Sequence, residues 1–305
     1  MNIQSISIVV PTKGCVNNCK FCVSQMHESP YEDKFDDIAY RKRIKYAAMN
    51  GVNTLILTGT GEVLQNTKFL DKLLYVLAKE NHPFPNVELQ TTGVMLTKWS
   101  DDKYYGSASG TSYEDYPNVA LLKELGVNTI ALSVSDLGKD NWNIIGAPEK
   151  LRVDLNHLCK FIKEHEFNLR LSLNLTNRFN NKSPEEIFMS CKGLGAEQVT
   201  FRKLWAADTN TEQGKWVGEN SILHYTVTDG KKYGIVSIED YIREKGVKLY
   251  KLPFGAFVYS IHGMSTVLDN DCMAKEGEDN SLKYVILQEN GKLYCRWDDE
   301  GSLIF

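Results

Sequence analysis

The chain has 305 residues, and its 35 Lys+Arg against 39 Asp+Glu give a formal charge of −4 and a sequence pI near 5.9. At 42% hydrophobic and 24% charged, the composition excludes disorder as the dominant state and suits one large α/β domain or two small ones. No run approaches the roughly 18 apolar residues of a membrane span, and mild acidity without a Lys/Arg block argues against long nucleic acid as a partner.

In chain order, strand-like runs alternate with helical patterns, the signature of βα units around a parallel sheet. The first strand is predicted over Ile6 to Pro11. A helix follows over Asp37 to Met49, with Tyr40, Ile44, Ala47 and Ala48 on one face and Asn50-Gly51 as its stop. The strand Thr54 to Leu57 precedes a helix striped by Phe69, Leu70, Leu73, Leu74 and Leu77. Further strands at Asn86 to Thr92, Val127 to Ser133, Asn168 to Thr176 and Gln198 to Leu204 alternate with helices near Ala120 to Leu125, Arg152 to Glu166 and Pro184 to Leu194. Six βα units result. Two polar stretches interrupt them, Lys98 to Pro117, read as an insertion or lid containing Tyr104 and Tyr105, and Ala206 to Lys232. After a last helix, Ile238 to Lys245, the chain becomes strand-rich, and Glu289-Asn290-Gly291 marks a terminal hairpin. The expected division is a partial barrel over residues 1–235, with insertions about 98–117 and 206–232, and a helix with β extension over 236–305.

Met1 to Val10 lacks a secretory pattern, so a cytoplasmic location is expected. There, seven cysteines point to metal binding rather than disulfides. Cys15, Cys19 and Cys22 form C-x3-C-x2-C directly after the first strand, while Cys159, Cys191, Cys272 and Cys295 are scattered. A four-iron, four-sulfide cubane ordinarily takes four cysteines, so three leave one iron open to a substrate or cofactor. A zinc site completed by His27, in a non-catalytic binding module, is the alternative.

Alternation along the strands supplies a separate argument, because residues two apart share a face. Leu169, Leu171, Leu173 and Leu175 oppose Arg170, Ser172, Asn174 and Thr176. Ile130, Leu132 and Val134 oppose Thr129, Ala131, Ser133 and Ser135. Val87 and Leu89 oppose Glu88, Gln90 and Thr92, and Val199 and Phe201 oppose Gln198, Thr200 and Arg202. Apolar faces belong against the outer helices, so polar faces line a lumen. A closed barrel packed with branched apolar side chains is a different object.

The run Cys15-Val-Asn-Asn-Cys19-Lys-Phe21-Cys22 resembles the C-x3-C-x-aromatic-C signature of the radical S-adenosylmethionine (SAM) enzymes, and the likeness extends through the sixth strand. The resemblance implies a partial (βα)6 TIM-like barrel with a small C-terminal β-rich extension. It implies a [4Fe-4S] cluster on Cys15, Cys19 and Cys22, with SAM chelating the fourth iron. It further implies reductive cleavage to methionine and a 5′-deoxyadenosyl radical that abstracts hydrogen, and a flavodoxin- or ferredoxin-type electron donor. Gly59-Thr60-Gly61-Glu62 looks like the family's glycine-rich segment that contacts the SAM amino group, with Val63 in place of its usual proline. By the same comparison Ser133, Ser135 and Asn174 touch the ribose or methionyl group, Arg202 pairs with the SAM carboxylate, and Thr92 takes the place of a turn residue. Phe21 packs over the cluster, near adenine, or simply in the core.

Cys159 and Cys191, in helical patterns, read as small core residues. Cys272 is a candidate hydrogen donor or cluster ligand, as is Cys295, and His262, Asp269 and Asp271 are candidate substrate contacts. The expected substrate is a small metabolite or a nucleotide-like molecule. A peptide- or protein-modifying enzyme, including a glycyl-radical activator, is the alternative.

Overall fold

The computed structural model describes residues 2–26, 35–97, 116–224, 226–228, 231–252, 256–269, 281–297 and 299–305. Six strands, β1 (Asn2–Val10), β2 (Thr54–Gly59), β3 (Asn86–Thr91), β4 (Thr129–Val134), β5 (Asn168–Leu175) and β6 (Gln198–Lys203), lie side by side in chain order, each parallel to the next. Between them run α1 (Asp37–Met49), α2 (Thr67–Lys79), α3 (Pro117–Glu124), the short α4 (Asn141–Ile145), α5 (Leu155–Glu164) and α6 (Pro184–Gly193). After β6 come α7 (Glu212–Asn220), a hairpin of β7 (Thr226–Thr228) and β8 (Lys231–Tyr233), and α8 (Ile235–Lys245). The chain ends with β9 (Val247–Lys251), β10 (Phe257–Ile261), β11 (Met264–Asp269), β12 (Ser281–Leu287) and β13 (Leu293–Tyr294).

This is an α/β architecture of the partial-barrel kind. The C-terminal strands join the same sheet at both edges: β11 lies parallel to β6, and β12 lies parallel to β1. Eight parallel strands therefore stand in the order β12-β1-β2-β3-β4-β5-β6-β11, continued by antiparallel β10 and β9 at one edge and β13 at the other. Among the described residues no ladder joins β11 to β12, so their sheet does not close on that side.

The helices form where their caps and stripes direct. Asp36 caps α1 by accepting from the Ala39 amide at 3.0 Å, and Tyr40, Ile44 and Ala47 are buried on its inner face. Phe69, Leu70, Leu73, Val76 and Leu77 are buried along α2, with Leu74 at the margin. Ser183 and Glu186 form a reciprocal capping box at the start of α6. Helix α5 starts at Leu155 rather than at Arg152, because Asp154 accepts from the His157 amide at 3.0 Å and acts as the cap. The second polar stretch is also more ordered than its composition predicts. Thr211 caps α7 through the Gly214 amide, and Gly214 is required there, since a Cβ would stand 2.0 Å from the Asp208 carbonyl oxygen.

The core lies between sheet and helices. Leu169, Leu171, Leu173 and Leu175 are all fully buried, as are Ile130, Leu132 and Val134 of β4. Their polar alternates face inward and line a lumen, as the alternation requires. The residues from about 98 to 115, with Tyr104 and Tyr105, and also His27, Asp271, Cys272 and the side chain of Asp269, lie outside the described residues. Among those described, no helix is long and apolar enough to cross a membrane.

Candidate active site

The cysteine loop leaves the carboxyl end of β1, the end at which parallel barrels place their chemistry. The Asn18 amide donates to the Ile145 carbonyl at 3.1 Å, and the Cys19 thiol donates to the same oxygen at 3.2 Å, tying the loop to α4. The Asn17 amide donates to Cys15 Sγ at 3.4 Å. Beside the loop, the turn after β2 approaches closely. A Cβ on Gly61 would lie 2.3 Å from Thr12 Oγ1 and 3.3 Å from Cys15 Cα, and one on Gly59 would lie 2.8 Å from the Val10 carbonyl oxygen. These glycines let the turn pack against the cysteine loop's backbone.

Burial, then the neighbouring thiols Cys22 and Cys15, pushes the Cys19 thiol up to about 12. Burial raises Cys15 as well, with smaller contributions from Glu62 and Cys22. Among the described residues no group of three or more His, Cys, Asp or Glu side chains closes around a single metal ion. Three thiols on one loop are the donor set that a cubane with one open iron would take. Orphaned polar atoms nearby also fit a bound polar ligand: Thr12 Oγ1, Asn17 Oδ1 and Arg202 Nε are buried without hydrogen-bond partners.

Glu62 is 3% exposed. Its carboxylate accepts from the Thr91 hydroxyl, from the Thr92 amide at 3.0 Å and from the Thr92 hydroxyl at 2.8 Å, and the Leu64 amide also steadies it. Burial outweighs these donors and raises its pKa. Thr92 in turn accepts from Asn17 Nδ2 at 2.9 Å, so Glu62, Thr92 and the cysteine loop form one chain of contacts. Nothing local in the sequence marks Asn17, whose partner lies 75 positions away.

The remaining candidates fall into three groups. Gly59, Thr60 and Arg202 line a cavity of about 1130 Å³ that fills the lumen, together with Val23 and Ser24 just past the cysteines. Ser135 is fully buried and accepts from Asn174 Nδ2 at 3.3 Å, while its carbonyl accepts from Thr176 Oγ1 at 2.7 Å. Ser133 is half-buried on β4, in register with Ser172. Phe21 is stacked on Trp216 of α7 with ring centroids 5.7 Å apart, and Gln213 Nε2 donates to the Cys22 carbonyl at 2.7 Å.

Deeper in the lumen Arg170 pairs with Glu88 and donates from Nε to Gln198 Oε1 at 2.7 Å. Cys159 and Cys191 are fully buried core thiols, each pushed up to about 12 by burial. Cys295 is half-buried. His262 is exposed at the β10–β11 turn, its Nε2 3.0 Å from the Tyr241 hydroxyl.

An open parallel barrel with three thiols at its carboxyl end and a polar lumen beneath them defines a class of metalloenzyme. Residues 9–160 match the sequence model of the radical SAM superfamily, and the chain belongs to that superfamily. It is accordingly an enzyme. No curated protein sequence matches it significantly. Among solved structures, SuiB of Streptococcus suis bound to S-adenosylmethionine aligns over 96% of this chain with a TM-score of 0.54 and 13% identity. SuiB bound to its precursor peptide SuiA aligns over the same share with a TM-score of 0.53 and 13% identity. These are likenesses of fold. The chain spans about 60% of SuiB's length.

Proposed function

We propose that Cys15, Cys19 and Cys22 hold a [4Fe-4S] cluster, that SAM binds at the adjoining mouth of the lumen, and that the enzyme abstracts hydrogen from a polar substrate inside it. The observation that carries this reading is the trio of thiols at the carboxyl end of β1, with Gly61 packed on the backbone of Cys15 and its neighbours Gly59 and Thr60 lining the large cavity. Cluster and SAM together supply one-electron cleavage of a sulfonium and hence a carbon radical. The chain's own residues do the positioning. Gly59 to Gly61 would bring backbone beside the cluster, Glu62 and Thr92 brace that turn, Arg202 would offer a guanidinium to a carboxylate, and Ser133, Ser135 and Asn174 are the proposed contacts to the ribose or methionyl group, for which the Ser135–Asn174 hydrogen bond would have to open.

The cavity of about 1130 Å³ exceeds the roughly 300–1,000 Å³ of ordinary ligand pockets. It has room for a cofactor and a small, including nucleotide-like, substrate. A peptide substrate is the second reading, favoured by the likeness across almost the whole chain to a protein captured with its precursor peptide. A flavodoxin- or ferredoxin-type protein is the proposed electron donor, and Cys272 a candidate hydrogen donor.

The test is anaerobic reconstitution followed by iron and acid-labile sulfide analysis, then incubation with SAM and a reductant. The wild-type protein is expected to carry four irons and four sulfides and to release 5′-deoxyadenosine. Cys19→Ala is expected to lose both. Stoichiometric zinc without sulfide would return the chain to a non-catalytic zinc module.

A further inference from the structure

Strand β9 ends the sheet, with β10 as its one neighbour among the described residues. Its outer side therefore carries a row of backbone amides and carbonyls that no described strand pairs. Every residue of β9 is exposed, and three of its side chains are large and apolar: Val247 at 65%, Leu249 at 52% and Tyr250 at 58%. Such an edge pairs with any strand it meets unless it is blunted. Lysines and an irregular register are the usual blunting devices, and β9 has both. Lys248 rests on the Phe257 ring at 3.6 Å, and neither it nor Lys251 has an ion-pair partner among the described residues. The β9–β10 register slips between Val258 and Tyr259, leaving Leu249 without an opposite. The run from Lys245 to Leu252 holds three lysines and no acid, in a chain whose formal charge is −4. Neutral and basic strands are thereby disfavoured, and an acidic one is suited.

The edge is continuous with the lumen. Thr200 of β6 stands in register with Val267 of β11, Val267 with Val258 of β10, and Val258 with Tyr250. Residues in one cross-strand row share a face, and all four line the cavity. A strand added beside β9 would extend that row and turn every second side chain toward the cavity. Direction agrees with this. β11 is parallel to β6, and β10 and β9 each reverse, so β9 again runs with the barrel strands and its carboxyl end lies at the end that bears the cysteines. Leu252, just past that end, lines the cavity too.

We propose that the outer edge of β9 takes an extended acidic segment of a peptide substrate as one further strand, and that this pairing leads the rest of the peptide to the cysteine end of the lumen. The proposal rests on the second reading above, in which the substrate is a peptide. Backbone pairing supplies the affinity, and Lys248 and Lys251 supply the selection.

The test uses reconstituted, cluster-loaded protein and a fluorescent peptide of about twelve residues that alternates valine and glutamate, followed by anisotropy at low salt. The wild type is expected to bind it with a dissociation constant of roughly 10–100 μM. Lys248→Glu combined with Lys251→Glu is expected to weaken binding about 10-fold, at the wild-type melting temperature and iron content. The same sequence N-methylated throughout keeps its charge but cannot donate to a strand, and it is expected not to bind. Wild-type protein that ignores the first peptide at about 1 mM would overturn the proposal. So would equal binding of the N-methylated peptide, or equal binding by the doubly substituted protein. A wild-type dimer in sedimentation that the double substitution abolishes would assign the edge to a second copy instead. The peptide reading is tested on the same preparations with a cell extract split by size. Release of 5′-deoxyadenosine is expected to rise with the peptide fraction and to fall in the doubly substituted protein. A rise with the small-molecule fraction alone would overturn the peptide reading, whereas a rise with the peptide fraction that the double substitution leaves unchanged would overturn the role of β9.

Discussion

Arg202 reaches the lumen from the end of β6 with Nε buried and unpartnered, while Arg170 deeper in the same wall is committed to Glu88 and Gln198. Two guanidiniums on one polar surface therefore have different tasks. Arg170 closes an internal ion pair, and the task proposed for Arg202 is to meet a ligand anion. A bidentate carboxylate contact is its natural use. Arg202→Ala is expected to weaken SAM binding by about 10- to 100-fold while iron and sulfide stay at the wild-type level, measured by equilibrium dialysis and metal analysis on one preparation. Equal SAM affinity would remove Arg202 from the cofactor's contacts. Single residues differ in how far the sequence exposes them. The cysteines and the glycine-rich turn declare themselves by local spacing. Asn17 and Glu289 do not, because their partners Thr92 and Thr60 stand 75 and 229 positions away and only the folded sheet brings them near.

At the scale of elements, α7 is the part that composition misjudges. Its stretch is polar, so the hydrophobic period that betrays the other helices is weak, and what fixes it is local: the Thr211 cap, the glycine at 214, and a bridge that ties Ser221 to Thr176 at the end of β5. From there it reaches the cysteine loop twice, through Trp216 on Phe21 and through Gln213 on the Cys22 carbonyl, 191 positions apart in sequence. The aromatic of the cysteine signature is thereby held against α7. A stacked aromatic pair contributes about 0.5–1.5 kcal/mol beyond its area, so Trp216→Ala is expected to shed iron to a chelator about 2- to 10-fold faster than wild type. Trp216→Phe keeps a ring in place and is expected to restore most of that loss. Identical release rates for wild type and Trp216→Ala would make α7 a bystander to the cysteine loop. The strands, by contrast, were readable to within a few residues, since strict alternation leaves one face apolar and the other polar whichever neighbour each strand finds.

Across the whole molecule, the first and last parts of the chain are joined. β1, which launches the cysteine loop, lies between β2 and β12, so its outer neighbour is a strand from beyond residue 280. Periodicity finds such a strand but says nothing of which edge it takes, and a C-terminal run of strands reads equally well as an appended unit. Here Ile8 stands in register with both Leu57 and Leu287, and all three are fully buried. Removing side-chain volume at Leu287 therefore opens a cavity against the same strand that positions the thiols. Leu287→Ala is expected to cost about 2–5 kcal/mol of stability. The loss is expected in one cooperative transition, with far-ultraviolet circular dichroism and tryptophan fluorescence moving together, because Trp297 packs against β12 while Trp142 and Trp216 report on the barrel. An independently folded tail predicts otherwise: an early transition seen only at Trp297, followed by unfolding of the barrel at the wild-type midpoint. Iron retention separates the two arrangements again. If β12 is a working stave of the barrel, the destabilised variant sheds its cluster over the same denaturant range in which the sheet signal is lost, whereas a detachable tail would come away with the cluster still in place.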